Sequence, residues 1–335
     1  MRAPTIPPRS IRTRLTAAAS AIILSVSTAC SASVDSTTAN PTPQPSNPSQ
    51  ITDTVSPSSP PASDASASSS DELSKDLVAA LRNLETRYDA RIGVFAKEGL
   101  DGKSFAWRAD ERFAYASTYK ALAAGALLDK FGTDILDTTV QIPEGDLVEY
   151  SPVTEQYAGQ EMTVRQVAEA AVRTSDNTAG NILLELLGGP HGFDEELEHL
   201  GDTTTRADRF EPELNEATPG DPRDTSTPAA LAQDLQAYVA GDELSTEERA
   251  LLTKWMSANA TGDTLVRAAV PEDWIVIDKS GAGRFATRND IAIVTPPDEP
   301  PVTIAILTSR SAEDATRDDD LVVDTARLVL EELSD

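Results

Sequence analysis

Residues Tyr115 to Asp129 read YASTYKALAAGALLD. The apolar positions Leu122, Ala123, Ala126 and Leu127 have the spacing of a helix buried along one side. On such a helix Ser117 and Lys120 share a face, one turn apart. An ammonium taken out of water costs free energy unless a partner or a reaction needs it there. The pair is therefore either a helix-start serine beside a snorkelling lysine or part of a nucleophile, and the rest of the chain has to decide.

Outward from this helix, DELSKDLVAALRNLETRY from Asp71 puts acids at a helix start and Leu73, Leu77, Leu81 and Leu84 on one stripe. ARIGVFAKEG and KSFAWRADERF then alternate around a Gly-bearing turn, which predicts a β-hairpin. From Ser117 to about Leu265 the patterns are helical, as in TVRQVAEAAVR, AGNILLELLG and TPAALAQDLQAYVAG, broken by Gly- and Pro-rich loops. Strand patterns return in WIVIDKSGAG, NDIAIVTPP and PVTIAILTS, and a last helix runs from about Asp318 to Leu333. Strands at both ends with helices between predict an α/β domain, 71–116 with 266–335, carrying an all-helical insertion over 117–265.

The first thirty residues place arginines at 2, 9, 12 and 14 before an apolar run from Ala17 to Val26, an export signal too short for a stable membrane span. Cys30, the sole cysteine, follows Ser27, Thr28 and Ala29, where bacterial lipoproteins carry the acylated cysteine. Ser27 stands where those signals usually have leucine, and Ser27 with Ala29 equally suits an ordinary cut after Ala29. Both readings place the chain outside the cell, free or lipid-anchored. From Ser31 to Ser70 the chain is Ser, Pro, Thr and Ala without an aromatic residue, the composition of a flexible tether.

A formal charge of −27 argues against nucleic acid and anionic membrane surfaces as partners. No Gly-rich phosphate loop follows a strand, and the only histidines, His191 and His199, read as surface residues on or near a helix. Without a cysteine in the folded part, a zinc site of the common types is not expected. Neither a metal nor another cofactor is expected. A serine nucleophile would then need lysine or glutamate as its proton acceptor.

A lone Ser-x-x-Lys arises by chance about once in a chain this long. Two further stretches change its weight. In VRTSDNTAGNILL, Ser175, Asp176 and Asn177 form a short polar break between helical patterns, and in DKSGAG, Lys279, Ser280 and Gly281 close an apolar strand, with Gly281 and Gly283 permitting close backbone approach. Ser-x-x-Lys, Ser-Asp-Asn and Lys-Ser-Gly in this order resemble the serine β-lactamases and penicillin-binding proteins. In ADRFEPELNEATPGDPRDTSTPAALA, the pattern Arg209-x-Glu211-Pro212-x-Leu214-Asn215 followed by Asp224 resembles the omega loop of class A β-lactamases, which penicillin-binding proteins lack. The likeness runs from about Asp71 to Asp335.

The resemblance implies an α/β (α+β) fold, with an antiparallel five-stranded sheet flanked by helices, a helical subdomain inserted between strands, and the site at their interface. It implies a monomer acting on penicillins and early cephalosporins. By resemblance Ser117 attacks the ring carbonyl, the backbone N–H groups of Ser117 and Ala282 hold the oxyanion, and Lys120 or Glu211 takes the serine proton. Ser175, helped by Lys279, protonates the ring nitrogen. Glu211 and Asn215 activate the water that breaks the acyl-enzyme. Asn177 holds the side-chain amide, Ser280 and Arg288 the carboxylate, and Tyr150 forms a wall. Arg209 and Asp224 pair across the loop neck, and Glu211–Pro212 is cis. A D,D-peptidase or a non-hydrolysing β-lactam sensor would share Ser117, but Glu211 and Asn215 speak against the first and the lack of a membrane span against the second.

Overall fold

The computed structural model describes residues 65–334, so the export signal, Cys30 and the tether up to residue 64 lie outside the described residues. Helix α1 (Ala65–Tyr88) opens six residues before Asp71, inside the stretch read as tether. Alanine and serine, without proline, let the leucine-striped helix extend upstream there. The hairpin follows as β1 (Arg91–Glu98) and β2 (Ser104–Trp107), with Val94 opposite Trp107. After β3 (Phe113–Ala114) comes α2 (Tyr119–Phe131).

The inserted part continues with β4 (Thr139–Gln141), β5 (Glu161–Thr163), α3 (Val164–Arg173), α4 (Asn177–Leu187) and α5 (Pro190–His199). Then come β6 (Thr225–Ser226), α6 (Pro228–Val239), α7 (Thr246–Ser257) and the short α8 (Val266–Ala269). The insertion is not wholly helical, because β4 pairs with β5 and β6 pairs with β3 in two antiparallel ribbons. Strands of two or three residues are too short to leave an alternation in the sequence. The chain closes with β7 (Ile275–Ala282), β8 (Arg288–Thr295), β9 (Val302–Ser309) and α9 (Asp319–Ser334).

The main sheet is antiparallel in the order β2-β1-β9-β8-β7, so the chain's first and last strands meet at its centre. Strands β8 and β9, inside the sheet, carry the apolar runs IAIV and IAIL because both of their faces are covered. Ala292, Val294, Ile304 and Ile306 join Leu77, Leu81, Val322 and Val329 in one core beneath α1 and α9. Their strand neighbours Ile291, Ile293, Ala305 and Leu307 join a second, larger core with α2 and the inserted helices. The period of two along a strand thus divides one run between two cores.

Helix α2 differs from its sequence pattern, since every residue from Tyr119 to Leu128 is buried, where the spacing predicts burial along one side. A helix apolar all round sits inside a domain, and small residues, Ala121, Ala123, Ala124, Gly125 and Ala126, let its neighbours close in. Lys120 is carried into this interior. On α4, a Cβ at Gly180 would come within 2.5 Å of Tyr119 Oη and 2.6 Å of Lys120 Cε, so the hydrogen at that position is what allows the lysine to pass. Gly180→Ala is expected to lose about 1–3 kcal/mol through overpacking. Urea unfolding measures this, and an unchanged midpoint would show that α2 and α4 can move apart.

Candidate active site

Ser117 lies in a 3₁₀ turn, Ala116–Thr118, entering α2, with Ala116 in the left-handed region at φ 47°. Lys120 follows in the first turn, wholly buried. Its Nζ lies 2.9 Å from Ser117 Oγ, 2.9 Å from the Ser175 carbonyl oxygen, 2.6 Å from Asn177 Oδ1 and 2.9 Å from Glu211 Oε1. An ammonium has three hydrogens, and four acceptors surround it. Burial pushes the Lys120 pKa down, while the Glu211 carboxylate opposes the shift.

Ser175 and Asn177 stand where α3 gives way to α4. Asp176 between them caps α4 through the Ala179 N–H and accepts from the Val153 and Thr154 N–H groups and the Thr154 hydroxyl, so the break is fixed from below. Ser175 takes a left-handed φ of 58°. Asn177 Nδ2 donates to the Glu149 carbonyl and its N–H to the Tyr150 carbonyl, which holds Tyr150 at the rim, 56% exposed.

Glu211 is held through its backbone and its carboxylate. Its N–H donates to Asn181 Oδ1 (2.7 Å) and its carbonyl accepts from Asn181 Nδ2 (3.0 Å), while Oε2 accepts from Asn215 Nδ2. The Glu211–Pro212 peptide is cis. Arg209 Nε meets Asp224 Oδ2 at 2.5 Å, and Asp224 Oδ1 accepts from the Asp208 and Arg209 N–H groups. Those contacts close the neck of the loop.

Strand β7, at the end of the sheet order, forms the opposite wall. A Cβ on Gly281 would stand 2.9 Å from the Tyr115 carbonyl oxygen and 3.3 Å from Ala116 Cβ, so glycine lets the strand run against the Ser117 turn and brings Ala282 to the cleft. A Cβ on Gly283 would stand 3.0 Å from the Asn215 carbonyl oxygen, where the loop meets the same strand. Lys279 is wholly buried and donates to Ser175 Oγ (3.2 Å) and the Ser280 carbonyl (2.8 Å). Burial, with the nearby Lys120 charge adding to it, lowers its pKa to about 7. Arg288, opposite Ala282 on β8, also faces the cleft, its guanidinium forked onto Asp319 at 2.6 and 3.1 Å.

Ser117, Tyr150, Ser175, Asn177, Asn215, Ser280, Gly281, Ala282 and Arg288 line one cleft of about 1020 Å³. Lys120, Glu211 and Lys279 form its buried floor; Arg209, Pro212 and Asp224 stand in the omega loop behind Glu211. His191 and His199 lie on α5, 86% and 74% exposed at their side chains. Sequence reading missed Asn181, Asn259, Thr261 and Asp319. Asn181 could have been found, because it lies one helical turn after Asn177. Nothing in the Arg317–Asp320 run singles out Asp319, and Asn259 and Thr261 sit in a polar loop without a pattern.

The model of the β-lactamase enzyme family matches residues 76–333. The chain is 52% identical to a β-lactamase of Bacillus amyloliquefaciens over 250 residues, covering 75% of this chain and 82% of that one. It is also 52% identical to a β-lactamase of Amycolatopsis lactamdurans, covering 74% and 82%. The crystal structure of a class A β-lactamase from Clostridium kluyveri superposes with a TM-score of 0.75 at 45% identity, over 77% of this chain and 98% of that one. Relatives this near, matched along almost all of the described fold, mean that the chain belongs to the β-lactamase enzyme family, in its class A branch, and is a hydrolase of the β-lactam amide.

Proposed function

We propose that the protein is an exported, monomeric β-lactamase that opens penicillins and early cephalosporins through an acyl-enzyme on Ser117. The observation that carries this reading is the Glu211 carboxylate, lodged between Lys120 and Asn215 behind the serine. Ser117 Oγ attacks the ring carbonyl, and the backbone N–H groups of Ser117 and Ala282 receive the oxyanion. The serine proton passes to Lys120, 2.9 Å away, once Lys120 is the free amine, or through the ammonium, which gives one of its own hydrogens to the Glu211 carboxylate as it takes the serine's. As the ring C–N bond breaks, Ser175 gives its proton to the departing nitrogen, with Lys279 supporting the exchange from 3.2 Å, and the proton taken from Ser117 replaces it, so that Glu211 is a carboxylate again.

The ester is then opened by water. Glu211 takes a proton from a water that Asn215 helps to hold, the water oxygen attacks the carbonyl, and Ser117 leaves with its hydrogen restored. A second carboxamide, Asn177, faces the cleft to meet the substrate's side-chain amide, and Tyr150 provides an apolar wall. Ser280 and Arg288 take the carboxylate through charge-assisted hydrogen bonds, with Asp319 aiming the guanidinium. None of these steps calls on a cofactor.

Three measurements test this scheme. Glu211→Ala or Asn215→Gly is expected to slow deacylation about 10²–10⁴-fold, the scale of general-base catalysis, while leaving acylation partly intact. Mass spectrometry with benzylpenicillin should show a penicilloyl adduct on Ser117, and wild-type turnover in either variant would remove the loop from the chemistry.

The second measurement concerns Lys279. An amine is charged below its pKa, so the pull of Lys279 on an anionic substrate is present below pH about 7 and lost above it. The value of kcat/KM for benzylpenicillin should therefore fall on the alkaline side of about 7. In Lys279→Arg, whose guanidinium stays charged, that limb should move upward. A limb at the same pH in both proteins would assign the titration to another group.

The third measurement concerns Cys30. If Cys30 carries lipid, the full-length protein partitions into detergent and Cys30→Ala does not, because the acyl chains supply the apolar area. A wild type found wholly in the aqueous phase assigns the signal to an ordinary cut after Ala29.

A further inference from the structure

Ser280, which the function proposed above assigns to the substrate carboxylate, is tied to a chain of side chains that leads away from the cleft. Ser280 Oγ lies 2.6 Å from Thr261 Oγ1, and the distance alone leaves the donor undecided. The far end of the chain decides it. The Asn259 NH₂ group faces Asp278, which is wholly buried and paired with the Arg267 guanidinium, and the Thr261 backbone N–H, which can only donate, fixes the amide that way round. Asn259 Oδ1 therefore points the other way, where it accepts from both the N–H of Thr261 (3.1 Å) and its hydroxyl (2.8 Å). A hydroxyl has one hydrogen. With that hydrogen given to Asn259, Thr261 Oγ1 can only accept, and Ser280 must donate to it.

In this arrangement Ser280 gives its hydrogen to Thr261, which lines the same cleft, and leaves only lone pairs for a ligand. A carboxylate has lone pairs only, so it would meet repulsion where it needs a donor. We propose that Thr261 is the positioning residue of the carboxylate site, and that substrate binding reverses the direction of this hydroxyl pair. When the anion arrives, the Thr261 hydroxyl rotates from Asn259 to Ser280, and the Ser280 hydroxyl rotates from Thr261 to the carboxylate. Each hydrogen stays on its own oxygen. Asn259 Oδ1 keeps the Thr261 backbone N–H, so the rotation leaves no buried acceptor without a donor. A hydroxyl that is itself receiving a hydrogen bond is a stronger donor, so the reversed chain also strengthens the grip on the anion.

The test compares Thr261→Val and Thr261→Ser on benzylpenicillin and on its methyl ester, which lacks the anion. Valine has nearly the shape of threonine without its hydroxyl; serine keeps the hydroxyl. For benzylpenicillin, Thr261→Val is expected to raise KM about fivefold, the worth of about one hydrogen bond, with little change in kcat. Thr261→Ser should restore the wild-type KM, and the methyl ester should show no such difference between the variants. A methyl ester that loses as much as the acid would reduce the effect to packing and overturn the inference. So would an unchanged KM in Thr261→Val, or a serine variant that behaves like the valine one. These outcomes leave the proposed acyl-enzyme function standing, whereas a wild type that does not open benzylpenicillin at all overturns that function and this inference together.

Discussion

One buried ammonium organises the site. Lys120 has no solvent to hydrate it, so its charge has to be met by protein oxygens, and four of them converge on its three hydrogens. One acceptor is always short of a hydrogen, which is an unstable share for a static ion pair and a useful one for a proton relay. The serine oxygen and the glutamate oxygen are the two that chemistry can leave waiting. The Ser175 carbonyl and Asn177 serve as fixed anchors, held by the backbone break that Asp176 braces. Removing one partner of a buried ion pair costs about 3–5 kcal/mol, so the contacts assigned to the proposed relay also hold α2, α4 and the loop of Glu211 to one another.

The cleft forms where the larger core meets the end of the sheet. Ser117 and Lys120 come from α2 and the turn before it, Ser175 and Asn177 from the junction of α3 with α4, Glu211 from the loop behind them, and Lys279 and Ser280 from β7. No one of these segments carries a usable site. What places them within a hydrogen bond of one another is the absence of side chains at a few points: Gly180 under Lys120, Gly281 against the Tyr115 carbonyl and Gly283 against the Asn215 carbonyl. Each removes a Cβ that would hold two backbones apart.

Much of this could be read from the sequence, and the reasons are local. The three last strands and α9 announce themselves through long apolar runs bounded by polar turns, and the hairpin β1–β2 through alternation about a glycine. The motif residues around Ser117, Ser175, Glu211 and Lys279 came through resemblance, since spacing alone could not have said that four distant segments meet. The full burial of α2 was not legible, because alanine suits a half-exposed helix as well as a central one. The ribbons β3–β6 and β4–β5 were too short to leave a period. Asn259 and Thr261 were invisible for another reason: their part depends on which way an amide and a hydroxyl point, a matter settled by the Thr261 N–H and by Asp278 behind the amide.

The burial of α2 divides the enzyme into what can drift and what cannot. Its inner residues touch core on every side, so Ser117, seated at its mouth, cannot be moved by a small substitution without disturbing packing that the whole domain shares. The rim is different: Tyr150 is 56% exposed, and Arg317 lines the cleft from an exposed position. Changes there alter what the mouth admits at little expense to folding. The scaffold thus keeps two kinds of position apart: those that fix where Ser117 stands, and those on the lip of the cleft that can be exchanged around an unmoving serine.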